Sequence, residues 1–115
     1  MTVQEIIERL SLEVVTAADP KRQITGGYAS DLLSCVMAGA KAGNVWVTLQ
    51  AHPNVVAVAS LLDLAAVVIT EGIAPDADTI AKAEQNSIAL LKTPRSTFAI
   101  VGELVSAGVK AAGAE

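Results

Sequence analysis

Two apolar runs constrain the fold more than any other feature of the chain: Val45-Trp46-Val47-Thr48-Leu49 and Ala65-Ala66-Val67-Val68-Ile69. The first is rich in β-branched and aromatic residues, which makes it the clearest strand in the sequence. The second is apolar at every position, so both of its faces must leave water. A strand buried on both faces belongs inside a parallel sheet with helices on either side. The aromatic residues are limited to Trp46, Phe98 and Tyr28. Ala, Val, Leu and Ile must therefore fill the space between helix and sheet, where small branched side chains pack closely.

The remainder alternates in step with that arrangement. Thr2 and Glu5 make a capping box ahead of the stripe Val3, Ile6, Ile7 and Leu10. Residues 12–16 read as a short strand, and Asp19-Pro20 breaks the chain because proline disfavours helical geometry in the residue before it. A short extended piece, Gln23-Ile24-Thr25, leads into Gly26-Gly27. Ser30 or Asp31 caps a helix expected to bury Leu32, Leu33, Val36, Met37 and Ala40, with Cys35 close to the core. Gly43-Asn44 stops it. Asn54 caps the next helix, through Val55, Val58, Ala59 and Leu62. Glu71-Gly72 turns the chain, and Pro75 and Asp76 open a helix with Ala77, Ile80 and Ala83 inside. Residues 88–91 form the last strand, and Phe98, Val101, Leu104 and Val105 mark a final helix. The expected architecture is α/β: a three-layer domain with a mostly parallel central sheet over residues 1–108, and an Ala- and Gly-rich tail, 109–115, that frays.

A chain of 115 residues builds one core without disulfides or metal. Its single cysteine, Cys35, excludes an internal disulfide framework and fits a reducing cytoplasm. The formal charge of −4 is dispersed, and only Lys21-Arg22 place two cations side by side. That pattern argues against nucleic acid and anionic membranes, which call for concentrated positive charge. Glu5 and Glu8 in the first ten residues do not fit a secretory leader. The apolar stretch 55–69 is too short to cross a bilayer and contains Asp63.

Ligands of open parallel sheets collect beyond the carboxyl ends of the strands. The strand ends expose Thr16 with Asp19, Gln50 with His52, Thr70 with Glu71, and Lys92 with Thr93. Gly26-Gly27 ahead of a helix start at Ser30 allows either an ordinary turn or a close backbone approach, with exposed amides that could hold an anion. It is neither a Walker loop nor a three-glycine dinucleotide fingerprint, and Asp31 already occupies the favourable end of the helix dipole. The ligand-binding candidates are Thr25, Gly26, Gly27, Ser30, Gln50, His52 and Asn54. No residue set suggests a metal site, a cofactor or a catalytic triad.

The run Arg22-Gln23-Ile24-Thr25-Gly26-Gly27-Tyr28-Ala29-Ser30-Asp31-Leu32-Leu33-Ser34 resembles the signature of the DRTGG domain family. So does Trp46-Val47-Thr48-Leu49-Gln50-Ala51-His52-Pro53-Asn54, and the likeness extends over roughly Ile6 to Val105. Lys21-Arg22 stand where the family name begins with Asp-Arg. The resemblance implies a stand-alone DRTGG domain with a fold like the amino-terminal domain of HPr kinase/phosphorylase, and a cytoplasmic home. Such domains also accompany phosphate acetyltransferase and CBS-containing pyrophosphatase regions as regulatory or dimerising modules. Some stand-alone members are labelled serine kinases, and some accompany iron-only hydrogenase systems. The kinase label belongs to a catalytic domain with a phosphate-binding loop, which this chain lacks, and one cysteine cannot hold an ordinary iron–sulfur cluster.

The expected function is accordingly a non-catalytic regulatory or ligand-sensing domain for a small anionic metabolite or nucleotide, with a homodimer and association with a metabolic or hydrogenase-related protein as the expected partnerships. Two alternatives stand beside it: a structural self-association module, and a small enzyme using His52 with Asp19 or Glu71.

Overall fold

The computed structural model describes residues 1–113. Ten elements follow the chain: α1 (Val3–Leu10), β1 (Glu13–Thr16), β2 (Gly26–Ala29), α2 (Leu33–Gly39), β3 (Asn44–Thr48), α3 (Pro53–Leu61), β4 (Ala66–Ile69), α4 (Ala77–Gln85), β5 (Leu90–Lys92) and α5 (Thr97–Ser106). The sheet order is β1-β5-β4-β3-β2. Strands β2 to β5 are parallel neighbours, and the two apolar runs lie side by side with Val45 opposite Ala66 and Thr48 opposite Ile69. β1 alone runs antiparallel, with Glu13 opposite Lys92.

Alternation along the central strands sends side chains into two separate cores. Val45, Val47, Ala66, Val68 and Leu91 pack with α1 and α5 through Val3, Ile6, Leu10, Ile100 and Leu104. Trp46, Val67, Ile69 and Leu90 pack with α2, α3 and α4 through Val36, Val55, Val56, Ala59 and Ala83. The result is the expected three-layer α/β domain. Crossovers between parallel strands share one hand, which explains why three successive helices occupy one face. After β5 the chain runs back across the sheet to Ala111, which bridges in parallel to Gly27 at the β2 edge, so the same hand places α5 on the other face, beside α1.

The local signals held at several termini. Thr2 and Glu5 close the capping box at α1, and Asp76 caps α4 by accepting from the Thr79 amide at 2.8 Å. Others shifted. Gly26-Gly27 is not a turn but the start of β2, and residues 23–25 precede that strand. α2 begins at Leu33 after an N-cap at Leu32, and α3 after an N-cap at His52, not Asn54, because Pro53 already has the backbone angle of a first helical residue. On α2, Leu32, Met37 and Cys35 are exposed, and Val36 and Ala40 face the core. On α5, Ile100 and Leu104 form the buried stripe, whereas Phe98 is 90% exposed and Val105 62% exposed.

The tail expected to fray beyond Gly108 is held at least through Ala112. Val109 is buried, the Gly27 amide donates to the Lys110 carbonyl at 2.8 Å, and the Ala112 amide donates to the Gly27 carbonyl at 2.9 Å. Backbone pairing needs no apolar stripe, so composition did not reveal it. Residues 114 and 115 lie outside the described residues.

Candidate functional site

The carboxyl ends of the parallel strands form one rim, and three of the four are finished by a threonine: Thr48 on β3, Thr70 after β4 and Thr93 after β5. All three are buried. A hydroxyl at the end of a buried strand must find a partner or lose stability, and these find theirs within the rim. Thr48 Oγ1 donates to Asp31 Oδ1 at 2.8 Å, and the same carboxylate oxygen accepts from the Leu49 amide at 2.8 Å. The Gln50 side-chain amide donates to the Asp31 carbonyl. Trp46 Nε1, from a fully buried ring, donates to the Ser30 carbonyl at 2.9 Å. The loops after β2 and β3 are thereby stitched together through Ser30, Asp31 and Gln50.

His52 lies next along this rim. Its backbone carbonyl accepts from the Val55 amide at 2.9 Å, and its exposed imidazole makes no side-chain capping bond. Asn54 is exposed one residue into the helix. The carboxylate near His52 is Asp76, which is held below its usual range mainly by hydrogen bonds from the Thr79 amide and hydroxyl, with a smaller contribution from His52. Thr79 Oγ1 also reaches the Ala51 carbonyl at 2.9 Å, joining α4 to the loop after β3.

Among the described residues, one place in this topology sends consecutive connections to opposite faces: the chain leaves β4 toward α4 and β5 toward α5. Crevices at such points are favoured ligand sites in α/β sheets. Here the crevice is closed by its own side chains. Thr70 Oγ1 and Thr97 Oγ1 are 2.6 Å apart, Glu71 Oε2 accepts from the Thr97 amide at 2.8 Å, and the Glu71 amide donates to the Arg95 carbonyl at 2.8 Å. Glu71 takes a left-handed backbone (φ 64°) to make these contacts. Its carboxylate occupies the first turn of α5, where an anionic ligand would otherwise be favoured.

The seven candidate residues therefore do not form one site. Ser30, Gln50, His52 and Asn54 share the carboxyl rim. Thr25 and Gly26 lie at the opposite end of the sheet, where Gly26 pairs with Asn44, the first residue of β3. There Thr25 Oγ1 donates to the Ala42 carbonyl at 2.8 Å and accepts from Asn44 Nδ2 at 3.1 Å. Gly27 faces the C-terminal segment. Asp19 cannot assist His52, because antiparallel β1 carries Thr16 and Asp19 to the amino-terminal side. Glu71 does share the rim with His52, but its carboxylate is bound to Thr97.

Sequence reasoning did not find the clasp at the amino-terminal side. Arg22 Nη1 donates to Asp63 Oδ1 at 2.9 Å and Nη2 to the Asp63 carbonyl at 2.8 Å, which holds the Asp63 carboxyl below its usual range. Residues so far apart in sequence leave no spacing signal. The interlocking threonines did leave one, since three strand runs end in the same residue type.

The glycine pair lies where another stretch of backbone passes close by. A Cβ on Gly26 would lie 3.2 Å from the Lys110 carbonyl oxygen and 3.1 Å from Asn44 Nδ2, and one on Gly27 would lie 3.3 Å from Val109 Cγ1. Close backbone approach is thus what the two glycines allow. Beside them, between α5 and β2, lies an apolar groove of about 320 Å³ floored by Val47, Leu104 and Val109, with Lys110 its one charged lining residue among the described residues. Among the described residues, no helix is long and apolar enough to cross a membrane.

Neither a family profile nor a curated protein sequence matches the chain. Among solved structures it is similar to the CBS and DRTGG domains of the regulatory region of Clostridium perfringens pyrophosphatase, crystallised with the activator diadenosine tetraphosphate. The TM-score is 0.73 at 18% identity, over 90% of this chain. The chain spans under half of that one, 46% of its length. At such low identity the likeness establishes shared architecture: this chain has an α/β fold that also occurs in a pyrophosphatase regulatory region.

Proposed function

We propose that the chain is a non-catalytic regulatory domain of the DRTGG type, with the HPr-kinase-like fold that the motif resemblance implies, and that it senses a small anionic metabolite or nucleotide. The observation that carries this reading is the structural likeness to a pyrophosphatase regulatory region. A complex of that region with diadenosine tetraphosphate makes adenine nucleotides the first class to test. The rim supports a binding role over a chemical one, because Asp31, Thr48, Thr70, Glu71 and Asp76 are all engaged in structural hydrogen bonds. His52 and Asn54 face solvent at the rim beside the exposed, hydrogen-bonded carboxylates of Asp31, Glu71 and Asp76, and Gln50 is partly buried against Asp31. A cytoplasmic setting suits this role.

Calorimetric titration with diadenosine tetraphosphate, ATP, AMP and acetyl phosphate tests the reading. Binding to at least one is expected, weakened by Q50A or H52A and indifferent to T25A, which lies at the far end of the sheet. Absence of heat with every probe, at concentrations up to the millimolar range where weak sites saturate, would end the ligand-sensing proposal.

Self-association is the second reading, favoured by one observation. Phe98, the only phenylalanine, is 90% exposed on the α5 stripe it shares with Val101, Gly102 and the exposed Val105, none of them charged. Apolar surface of this kind marks contact faces. A homodimer through α5 predicts a doubled mass in light scattering that Phe98→Glu returns to monomer. A wild-type monomer over the whole concentration range rejects this reading.

A further inference from the structure

We propose that residues 109–112 are a strap that guards the open edge of the sheet, and that its release lets β2 pair with β2 of a second copy. This goes beyond the ligand-sensing reading and does not depend on it.

β2 is an edge strand, bonded to β3 on one side only. Its sequence, Gly26-Gly27-Tyr28-Ala29, has no charge, no proline and no bulge. Exposed edges of that kind pair with other chains unless something blunts or covers them. At the outer side of β2 the cover is the strap. Gly27 exchanges two strand-type hydrogen bonds with it, at 2.8 Å and 2.9 Å, in a parallel bridge to Ala111. Those bonds show that the edge accepts a further strand. The strap brings an exposed lysine, Lys110, to a position where edge strands commonly carry one to discourage further pairing.

The attachment is also built to be reversible. Gly108 has φ 104° and ends α5: its amide and that of Val109 donate to the Val105 and Leu104 carbonyls at 3.0 Å. The Val109 side chain is buried against the core that includes Leu104 and Val47. Past this cap, residues 110–112 are held to the edge by the one bridge at Ala111, a modest hold compared with the central strands. Release would uncover the Gly27 amide and carbonyl together with the groove floor. A second β2, equally uncharged, is the occupant the edge fits, and a two-fold axis would make the pairing self-complementary.

The test uses the full chain in a Phe98→Glu background, so that an α5 contact does not contribute to mass. Ala112→Pro removes the donor to Gly27 without touching the core, and Val109→Asp removes the apolar anchor. Trypsin cleavage after Lys110 reads the strap, and light scattering reads association. Cleavage should be slow in the F98E parent and faster by about tenfold in both variants, as expected for losing one hydrogen bond or anchor. Both variants should also gain mass with concentration while the parent stays monomeric. Rapid cleavage at Lys110 in the parent would show that no strap is held. Variants that open yet remain monomeric would overturn the guarding role. Ala112→Pro keeps the test informative if V109D unfolds.

Discussion

Trp46 joins the helical layer of α2–α4 to the carboxyl rim. Its ring is fully buried and its Nε1 donates to the Ser30 carbonyl at 2.9 Å. Trp46→Phe removes that bond and leaves space in the core, so it should lower stability by about 2–3 kcal/mol. Urea unfolding followed by circular dichroism measures it, and a loss within error would mean that the rim does not depend on this side chain. Arg22 acts at the other end of the sheet. Arg22→Ala should cost about 1 kcal/mol or less, since the Asp63 carboxylate is 70% exposed and solvent screens the pair. The sign with pH follows from the depressed Asp63 pKa. Its contribution is present above the unfolded-state value, near 3.8, and disappears as the pH falls through the lower folded value. Wild type and R22A should therefore differ at neutral pH and converge in acid. A difference that grows in acid would contradict the assignment.

At the scale of elements, α5 separates what a helix buries from what it presents. Ile100 and Leu104 are buried at 0% and 4% exposure, and Phe98 stands out in solvent. Leu104→Ala should lose about 3 kcal/mol, whereas Phe98→Glu should change stability by less than about 0.5 kcal/mol. Thermal or urea unfolding of the pair decides the matter, and comparable losses would put Phe98 in the core. The start of α5 depends on its neighbours. Ser96 caps it through the Ala99 amide at 3.1 Å, and Glu71 reaches the Thr97 amide from the β4 loop. The loop that follows the central strand thus sets where the last helix begins.

Across the whole molecule, protection should follow burial on two faces. β3 and β4 lie inside the sheet with both neighbours bonded and every residue buried, whereas β1 and β2 are edges. Native-state hydrogen exchange should be slowest at the amides of Val45–Val47 and Val67–Val68, and faster at β1 and the strap, because edge elements open without global unfolding. Uniform protection across all five strands would mean that the sheet opens only as one unit. The same layering explains why the glycine motif is not part of the rim. A parallel sheet has two distinct ends, and the motif begins β2 where the candidate ligand residues finish their strands.

Local chemistry in the sequence determined the alternation of elements, the burial of residues 45–48 and 65–69, and the caps at Thr2 and Asp76. Each depends on residues within a turn or a pleat of one another, so the pattern of side chains is sufficient. Tertiary structure alone decided the direction of β1, and with it the removal of Asp19 from the neighbourhood of His52. It also decided which face of α5 meets the sheet and what approaches Gly26 and Gly27. The freedom of two glycines is legible in sequence, but their partner is a segment from the far end of the chain. Pairing direction and long-range contact depend on how separate elements assemble, and no local periodicity carries that information.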